Sequence, residues 1–195
     1  MEFHMKNSKN FGIDLDDVVL VWCRAFADYA NELYDLDIDL RKLRHWLWHE
    51  SGLMTSRQFF TAFNKFTKEG KYKDLIPVVH ARKALNIIRE RGHKIHFITS
   101  RPQQARQDTK DNLKGLDISY DSLTITNKKG PVTDRYDIDI FVDDKIQNCL
   151  DVKKAGVKKV YLFSKAYNGN APADAGLIRI STWKELIEAE GMKWD

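Results

Sequence analysis

This chain has little of what marks a secreted, fibrous or membrane protein. It holds two cysteines, Cys23 and Cys149, in 195 residues, too few for a disulfide framework and without the paired spacing of a metal site. Four prolines and ten glycines exclude a collagen-like or linker-rich polymer. No apolar run approaches the roughly 18–20 residues that cross a bilayer, and no basic segment followed by an apolar stretch marks a secretory leader. No glycine-rich phosphate loop is present, which disfavours an ATP-dependent kinase. A membrane partner is therefore not expected, and a reducing, cytoplasmic setting is. Met1-Glu2-Phe3-His4-Met5 reads as a translated cloning scar ahead of a second start at Met5, so residues 1–5 are set aside.

What is present suits one generous domain or a core with an insert. Hydrophobic residues make up 43%, enough for a core and too many for a disordered chain. A net charge of +4 and a pI near 8.9 favour anionic small molecules. The local run Lys65, Lys68, Lys71 and Lys73 reads as a solvated helix end rather than a polyanion-binding strip.

Short runs rich in Ile, Val and Phe alternate with helical patterns, which predicts an α/β fold with a parallel sheet. The predicted strands are 11–15, 94–99, 122–126, 139–142 and 159–163. One predicted helix is opened by Pro77 and closed by Gly92. Another runs from Ile146 to near Gly156, and a last one starts at the capping box Thr182-Trp183-Lys184-Glu185. From Trp22 to about Ile76 only helical spacing is found. Trp22, Phe26, Tyr29 and Leu33 form one stripe, and Leu40, Leu43 and Leu47 a second. Phe59, Phe63 and Phe66 form a third, behind a capping box at Thr55 and Gln58. A crossover needs one helix, so residues 22–76 read as an inserted small helical cap. The core is expected over 10–21 and 77–195, a Rossmann-like sheet with helices on both faces.

In an open parallel sheet, ligands bind beyond the carboxyl ends of the strands. Three predicted strands stop there in reactive residues: Asp14-Leu15-Asp16-Asp17, Thr99-Ser100-Arg101, and Asp143-Asp144. Acids crowded into one crevice repel, two charges about 4 Å apart by roughly 4 kcal/mol at an effective dielectric near 20. A hard cation and a lysine are therefore implied. Carboxylates without Cys or His suit magnesium. The lysine is expected from the loop after residue 126, where Lys128 and Lys129 stand. Arg101, beside Pro102, reads as a helix opener sooner than as a phosphate-steering cation.

Asp14-Leu15-Asp16, the apolar strand ending in Thr99, a loop lysine and Asp143-Asp144, in that order, resemble the motifs of the haloacid dehalogenase (HAD) superfamily of phosphotransferases. The resemblance implies a HAD-like core and a set of roles. Asp14 would be the nucleophile, and Asp16 the acid that protonates the leaving oxygen and then the base that activates water. Thr99 would hydrogen-bond the phosphoryl group. Magnesium would lie between Asp14, the backbone carbonyl of Asp16 and Asp143, supported by Asp144. Lys129 is the first choice for the motif lysine and Lys128 the fallback. Asp17 stands where many members carry glycine.

A closer resemblance is to the 5′(3′)-deoxyribonucleotidase branch. It rests on Trp22, eight residues after Asp14, on Trp46-Leu47-Trp48, on the return through Tyr72–Pro77, and on the Thr99-Ser100 pair. It implies a nucleoside (deoxy)monophosphate substrate, with Ser100 on the phosphate and indole faces on the base. Core packing is the competing reading for Trp22, Trp46 and Trp48. Two other functions remain open at this stage. One is a 3′-phosphatase on nucleic-acid ends, which the basic run would serve. The other is a phosphoacceptor module, although in receiver domains the acidic pair precedes the phosphorylated aspartate. Sequence leaves oligomeric state undetermined.

Overall fold

The structure is a computed structural model that describes residues 8–170 and 175–194; the cloning-scar reading of 1–5 lies outside them. The strands are β1 (Asn10–Ile13), β2 (Lys94–Thr99), β3 (Ser122–Ile125), β4 (Ile140–Asp143), β5 (Lys159–Phe163) and β6 (Ile178–Ile180). The helices are α1 (Trp22–Tyr34), α2 (Ser56–Lys68), α3 (Ala81–Glu90), α4 (Arg106–Gly115), α5 (Gly130–Arg135), α6 (Ile146–Lys154) and α7 (Trp183–Ala189). All strand pairs are parallel, in the order β3-β2-β1-β4-β5-β6. The predicted parallel α/β sheet is the observed one, with β6 added at an edge where three residues carried too little apolar signal.

Apolar runs bury both faces of the sheet, as parallel strands require. Phe11, Ile13, Ile140 and Val142 point into one core, and Ile98, Phe141, Val160 and Leu162 into the other. Gly12 faces the second of these: a Cβ there would lie 2.9 Å from Phe141 Cδ2 and 3.1 Å from Ile138 Cγ2. The side chain is absent because β4 packs into its space.

Successive strands lie on one side of β1 until β3, and the chain then crosses to β4 on the other. The order thus reverses between β1 and β4, and this switch point opens a crevice at their carboxyl ends. β1 stops at Ile13, short of the predicted Leu15. The Asp14 N–H still bonds the Val142 carbonyl at 2.9 Å, but the Leu15 carbonyl is taken by the N–H groups of Val19 and Leu20.

Between β1 and α3 the chain makes α1 and α2, which pack together. It leaves and returns through paired segments. The Val21 N–H donates to the Ile76 carbonyl at 2.9 Å and the Val78 N–H to the Val19 carbonyl at 2.8 Å, with Leu20 opposite Pro77. Pro77 is committed to this pairing, so the helix predicted to open there begins at Ala81. The capping box at Thr55 and Gln58 forms as read. The Leu40–Leu47 stripe does not become a helix. It gives only 3-10 turns at Leu40–Lys42 and Trp48–Ser51. The Ser51 hydroxyl takes the backbone N–H groups of Arg44 and His45, both at 3.0 Å, and this side-chain bonding competes with a helical ladder.

Glu190, just past α7, ties the C-terminal helix to the sheet. Its carboxylate accepts from Lys9 at 2.8 Å, Lys159 at 3.0 Å and the Tyr161 hydroxyl at 2.5 Å. Burial alone would raise its pKa, but the hydrogen bonds from Lys9, Tyr161 and Lys159 outweigh burial and hold it below the ordinary glutamate range. A carboxyl with a lowered folded pKa stabilises fully above its unfolded value, about 4.3, and the gain is lost as pH falls through the folded value. Glu190→Gln should therefore cost about 1.5–3 kcal/mol at pH 7. Urea unfolding of both proteins should show that difference shrinking below about pH 4.

Candidate active site

The crevice is built from strand ends. β1 delivers Asp14, β2 delivers Thr99, and β4 delivers Asp143 and then Asp144. All four residues are buried. Carboxylate oxygens of Asp14, Asp143 and Asp144 all lie within 4.8 Å of one another. Lys129 enters from the start of α5, its backbone carbonyl anchored by the N–H groups of Val132 and Thr133. Its ammonium, fully buried, hydrogen-bonds Asp14 Oδ1 and reaches Asp143 Oδ2 at 2.7 Å. Gly130 permits this entry, since a Cβ there would press on the Asp151 carboxyl at 3.1 Å.

Each acid is fixed by neighbours. Asp143 accepts from the Lys145 N–H at 2.8 Å and from Asn148 Nδ2 at 3.0 Å. The Tyr167 hydroxyl donates to Asp144 Oδ2. Asn168 Nδ2 bridges the carbonyls of Asp144 and Phe163, both at 2.7 Å. Asp17, at a left-handed φ of 58°, is an aspartate where glycine would be unstrained. It compensates through Oδ1, which accepts the Trp22 and Cys23 N–H groups at 3.1 and 3.0 Å and so caps α1.

The charges are unbalanced. Burial pushes the Asp14 carboxyl up to about 7; the Lys129 ammonium pulls against this, while Asp143 and Asp16 push with it. Burial, then Asp143 and Asp14, drive the Asp144 carboxyl well above the usual aspartate range. Burial lowers the Lys129 pKa, but Asp14 and Asp143 outweigh it and keep the ammonium charged. Three carboxylates against one ammonium leave room for a divalent cation. A donor set of oxygens alone fits a hard ion such as magnesium.

Asp16 lies apart from this triad. Its carboxylate lines the cavity but is gripped by Arg101, with Nη2 2.6 Å from Oδ1. Above the acids lies a cavity of about 440 Å³, within the usual range for small-molecule sites, about 300–1,000 Å³. Asp14, Asp16, Thr99 and Ser100 line its polar end. Trp22, Trp46, Phe59, Phe60, Phe63 and Tyr72 give it aromatic walls, and Arg101, Lys145 and Asn148 are also among its lining residues. The rings of Trp22 and Trp46 are 5.5 Å apart, and Lys145 Nζ sits 5.3 Å from the Trp46 ring centre.

The predicted residues thus divide. Asp14, Asp16, Thr99, Ser100, Trp22, Trp46 and Asp144 line one cavity, and Asp143 and Lys129 are buried beside it. Trp48 does not line it: its ring is wholly buried against Phe26, 5.0 Å away, and Phe59. Lys128 is exposed and outside the cavity lining. Arg101 is buried yet among the cavity's lining residues, and the 3-10 turn at Gln103–Ala105 stands between it and α4, so it does not open that helix. Tyr167, Asn148 and Asn168 had no motif to reveal them. Phe60, off the buried stripe and half exposed, was visible as an apolar residue on the wrong face of α2.

A parallel sheet that gathers an aspartate from β1, a threonine from β2, a lysine before α5 and an acidic pair from β4 defines a hydrolase of the HAD type. Solved structures agree on the fold. A HAD family hydrolase of Deinococcus radiodurans with bound phosphate and sodium superposes with a TM-score of 0.66 at 12% identity, over 94% of this chain and 95% of that one. YfnB of Bacillus subtilis, crystallised with magnesium, gives 0.65 at 12% identity, over 96% and 100%.

Residues 8–191 match the family described as 5′ nucleotidase, deoxy (pyrimidine), cytosolic type C protein (NT5C), and the chain belongs to that family. It is a nucleotidase, a phosphoric monoester hydrolase of HAD type. Curated relatives include YqfW of Bacillus subtilis, a nucleotidase by inference, 26% identical over 91% of both chains. A Clostridium acetobutylicum nucleotidase is 31% identical over 64% of this chain and 66% of its own. Among the described residues no helix is long and apolar enough to cross a membrane.

Removing the ammonium should expose the charge imbalance. Lys129→Met leaves Asp14 and Asp143 buried without their counter-charge and should destabilise the metal-free protein by about 3–5 kcal/mol. Equilibrium urea unfolding in EDTA at pH 7.5 measures this, and a loss under 1 kcal/mol (roughly a surface pair's worth) would contradict it.

Proposed function

We propose that the protein hydrolyses nucleoside (deoxy)monophosphates through an aspartyl-phosphate on Asp14. The observation that carries this is the Asp14 carboxylate held between Lys129 and the Asp143-Asp144 pair at the floor of an aromatic-walled cavity. The family supports a nucleotide as substrate.

A carboxylate is repelled by a phosphate dianion, so attack needs that repulsion removed. Lys129 supplies part of the positive charge. Asp14, Asp143 and Asp144 would hold magnesium, which when bound neutralises the triad and polarises phosphoryl oxygens. The Asp14 oxygen attacks phosphorus and the bond to the ester oxygen breaks. Asp16 gives that oxygen its proton, and the nucleoside leaves. Asp16 then takes a proton from water as the water attacks phosphorus, releasing inorganic phosphate and restoring Asp14. Thr99 and Ser100, at the cavity's polar end, hold the phosphoryl oxygens. Trp22 and Trp46 offer faces to the base, and such stacking contributes about 1–3 kcal/mol per base in single-stranded nucleic-acid complexes. Residues 22–76 act as the cap that carries these rings, and the paired segments 19–21 and 76–78 are its two links to the core.

Asp14→Asn should abolish release of inorganic phosphate from deoxynucleoside 5′- and 3′-monophosphates while circular dichroism stays unchanged. Near-normal turnover would sink the mechanism. EDTA should stop the wild-type enzyme and added magnesium restore it. A panel of the four bases, both sugars and both phosphate positions identifies the preferred ester.

A further inference from the structure

Arg101 follows the Thr99-Ser100 pair, and its side chain is wholly inaccessible. All three nitrogens of its guanidinium are engaged. Nη2 and Nε donate to Asp16 Oδ1 at 2.6 and 3.0 Å, and Nε also reaches Oδ2 at 3.1 Å. Nη1 donates to the Thr109 hydroxyl at 2.9 Å. That hydroxyl is itself fixed, donating to the Ala105 carbonyl at 2.7 Å. The flat face of the guanidinium lies 4.6 Å from the centre of the Tyr72 ring. Tyr72 belongs to the 3-10 turn Lys71–Asp74, from which the chain returns to the core.

A buried arginine clamped on three sides is a costly way to hold one aspartate, and a loop tie between elements does not require it. The aspartate it grips lines the cavity. Oδ1 takes two of the three bonds, so Oδ2 keeps the greater free hydrogen-bonding capacity.

We propose that Arg101 is the positioning residue of Asp16. It fixes the orientation of the carboxyl and leaves Oδ2 to exchange the proton with the leaving oxygen. This rests on the reading of Asp16 as acid and base given above. The contribution is orientation: three hydrogen bonds hold the carboxyl in one geometry for the transfer. The Tyr72 ring stacks on the guanidinium, so the return segment of the cap supports the same fork.

The test compares leaving groups. A nucleoside alkoxide needs a proton as it departs, whereas the p-nitrophenolate of p-nitrophenyl phosphate leaves readily without one. The ratio of kcat/KM for thymidine 5′-monophosphate to that for p-nitrophenyl phosphate reads proton donation, because kcat/KM excludes the later hydrolysis of the covalent intermediate. Asp16→Ala should lower this ratio by about 10²–10⁴-fold. Arg101→Gln should lower it by about 10–100-fold, with Arg101→Lys recovering part. The double variant Asp16→Ala/Arg101→Gln should be no lower than Asp16→Ala alone. Equal slowing of both esters by Arg101→Gln, or an additive loss in the double variant, overturns the inference and leaves Asp16 as assigned. An unchanged ratio in Asp16→Ala overturns the Asp16 assignment and this inference with it. Should Arg101→Gln not fold by circular dichroism, Arg101→Lys carries the test, since it keeps the charge and loses the fork; an unchanged ratio there overturns the inference equally.

Discussion

The Lys129 ammonium between Asp14 and Asp143 is the contact on which the site depends. These carboxylates come from strands that are neighbours in space and far apart in the chain, and a sheet that pairs Ile13 with Val142 must bring them together. Such a meeting of buried charges would work against the fold without a cation in the same shell. The lysine is rooted at the start of a short helix, where its backbone carbonyl accepts from the N–H groups of Val132 and Thr133. Stability and reactivity are therefore coupled here. The group that makes the crevice tolerable is also the one that, in the proposed mechanism, lets a carboxylate approach a phosphate.

Around this polar floor the protein has arranged a second layer of fixed groups. Asn148, Tyr167 and Asn168 hold the acidic pair from the α6 side and from the segment after β5. Arg101 does the same for Asp16 from the β2 side. The aromatic residues above serve two purposes at once. Phe26, Trp48 and Phe66 fill the space between α1 and α2, while Trp22 and Trp46 belong both to that packing and to the cavity wall. The aromatic core thus presents its own edge as a wall of the cavity.

Much of this was legible because strand ends carry their chemistry in the residues that stop them. The acids after β1 and β4, the threonine ending β2 and the need for a lysine from the loop after residue 126 were readable from hydrophobic runs and charge repulsion, and Lys129 ahead of Lys128 only from the resemblance to the HAD motifs. Three things were not legible, each for a physical reason. The Leu40–Leu47 stripe has helical spacing, but Ser51 draws off backbone donors that a helix needs. Trp46 and Trp48 are chemically alike, and only the packing of Phe26 and Phe59 decides which one faces the cavity. The Arg101–Asp16 pair joins residues eighty-five positions apart, and nothing local to either residue announces the other.

The hydrogen-bonded neighbours Val21 and Ile76 have a consequence for how such enzymes diversify. The chain between them leaves and re-enters the core at one place, yet it also leans on the core: Tyr72 lies against Arg101, the Lys73 and Leu75 carbonyls accept from Asn112, and Trp46 meets Lys145 and Tyr167. A different run of helices at that place would have to keep these contacts, Tyr72 on Arg101 above all, to leave the Asp16 side of the floor as it is.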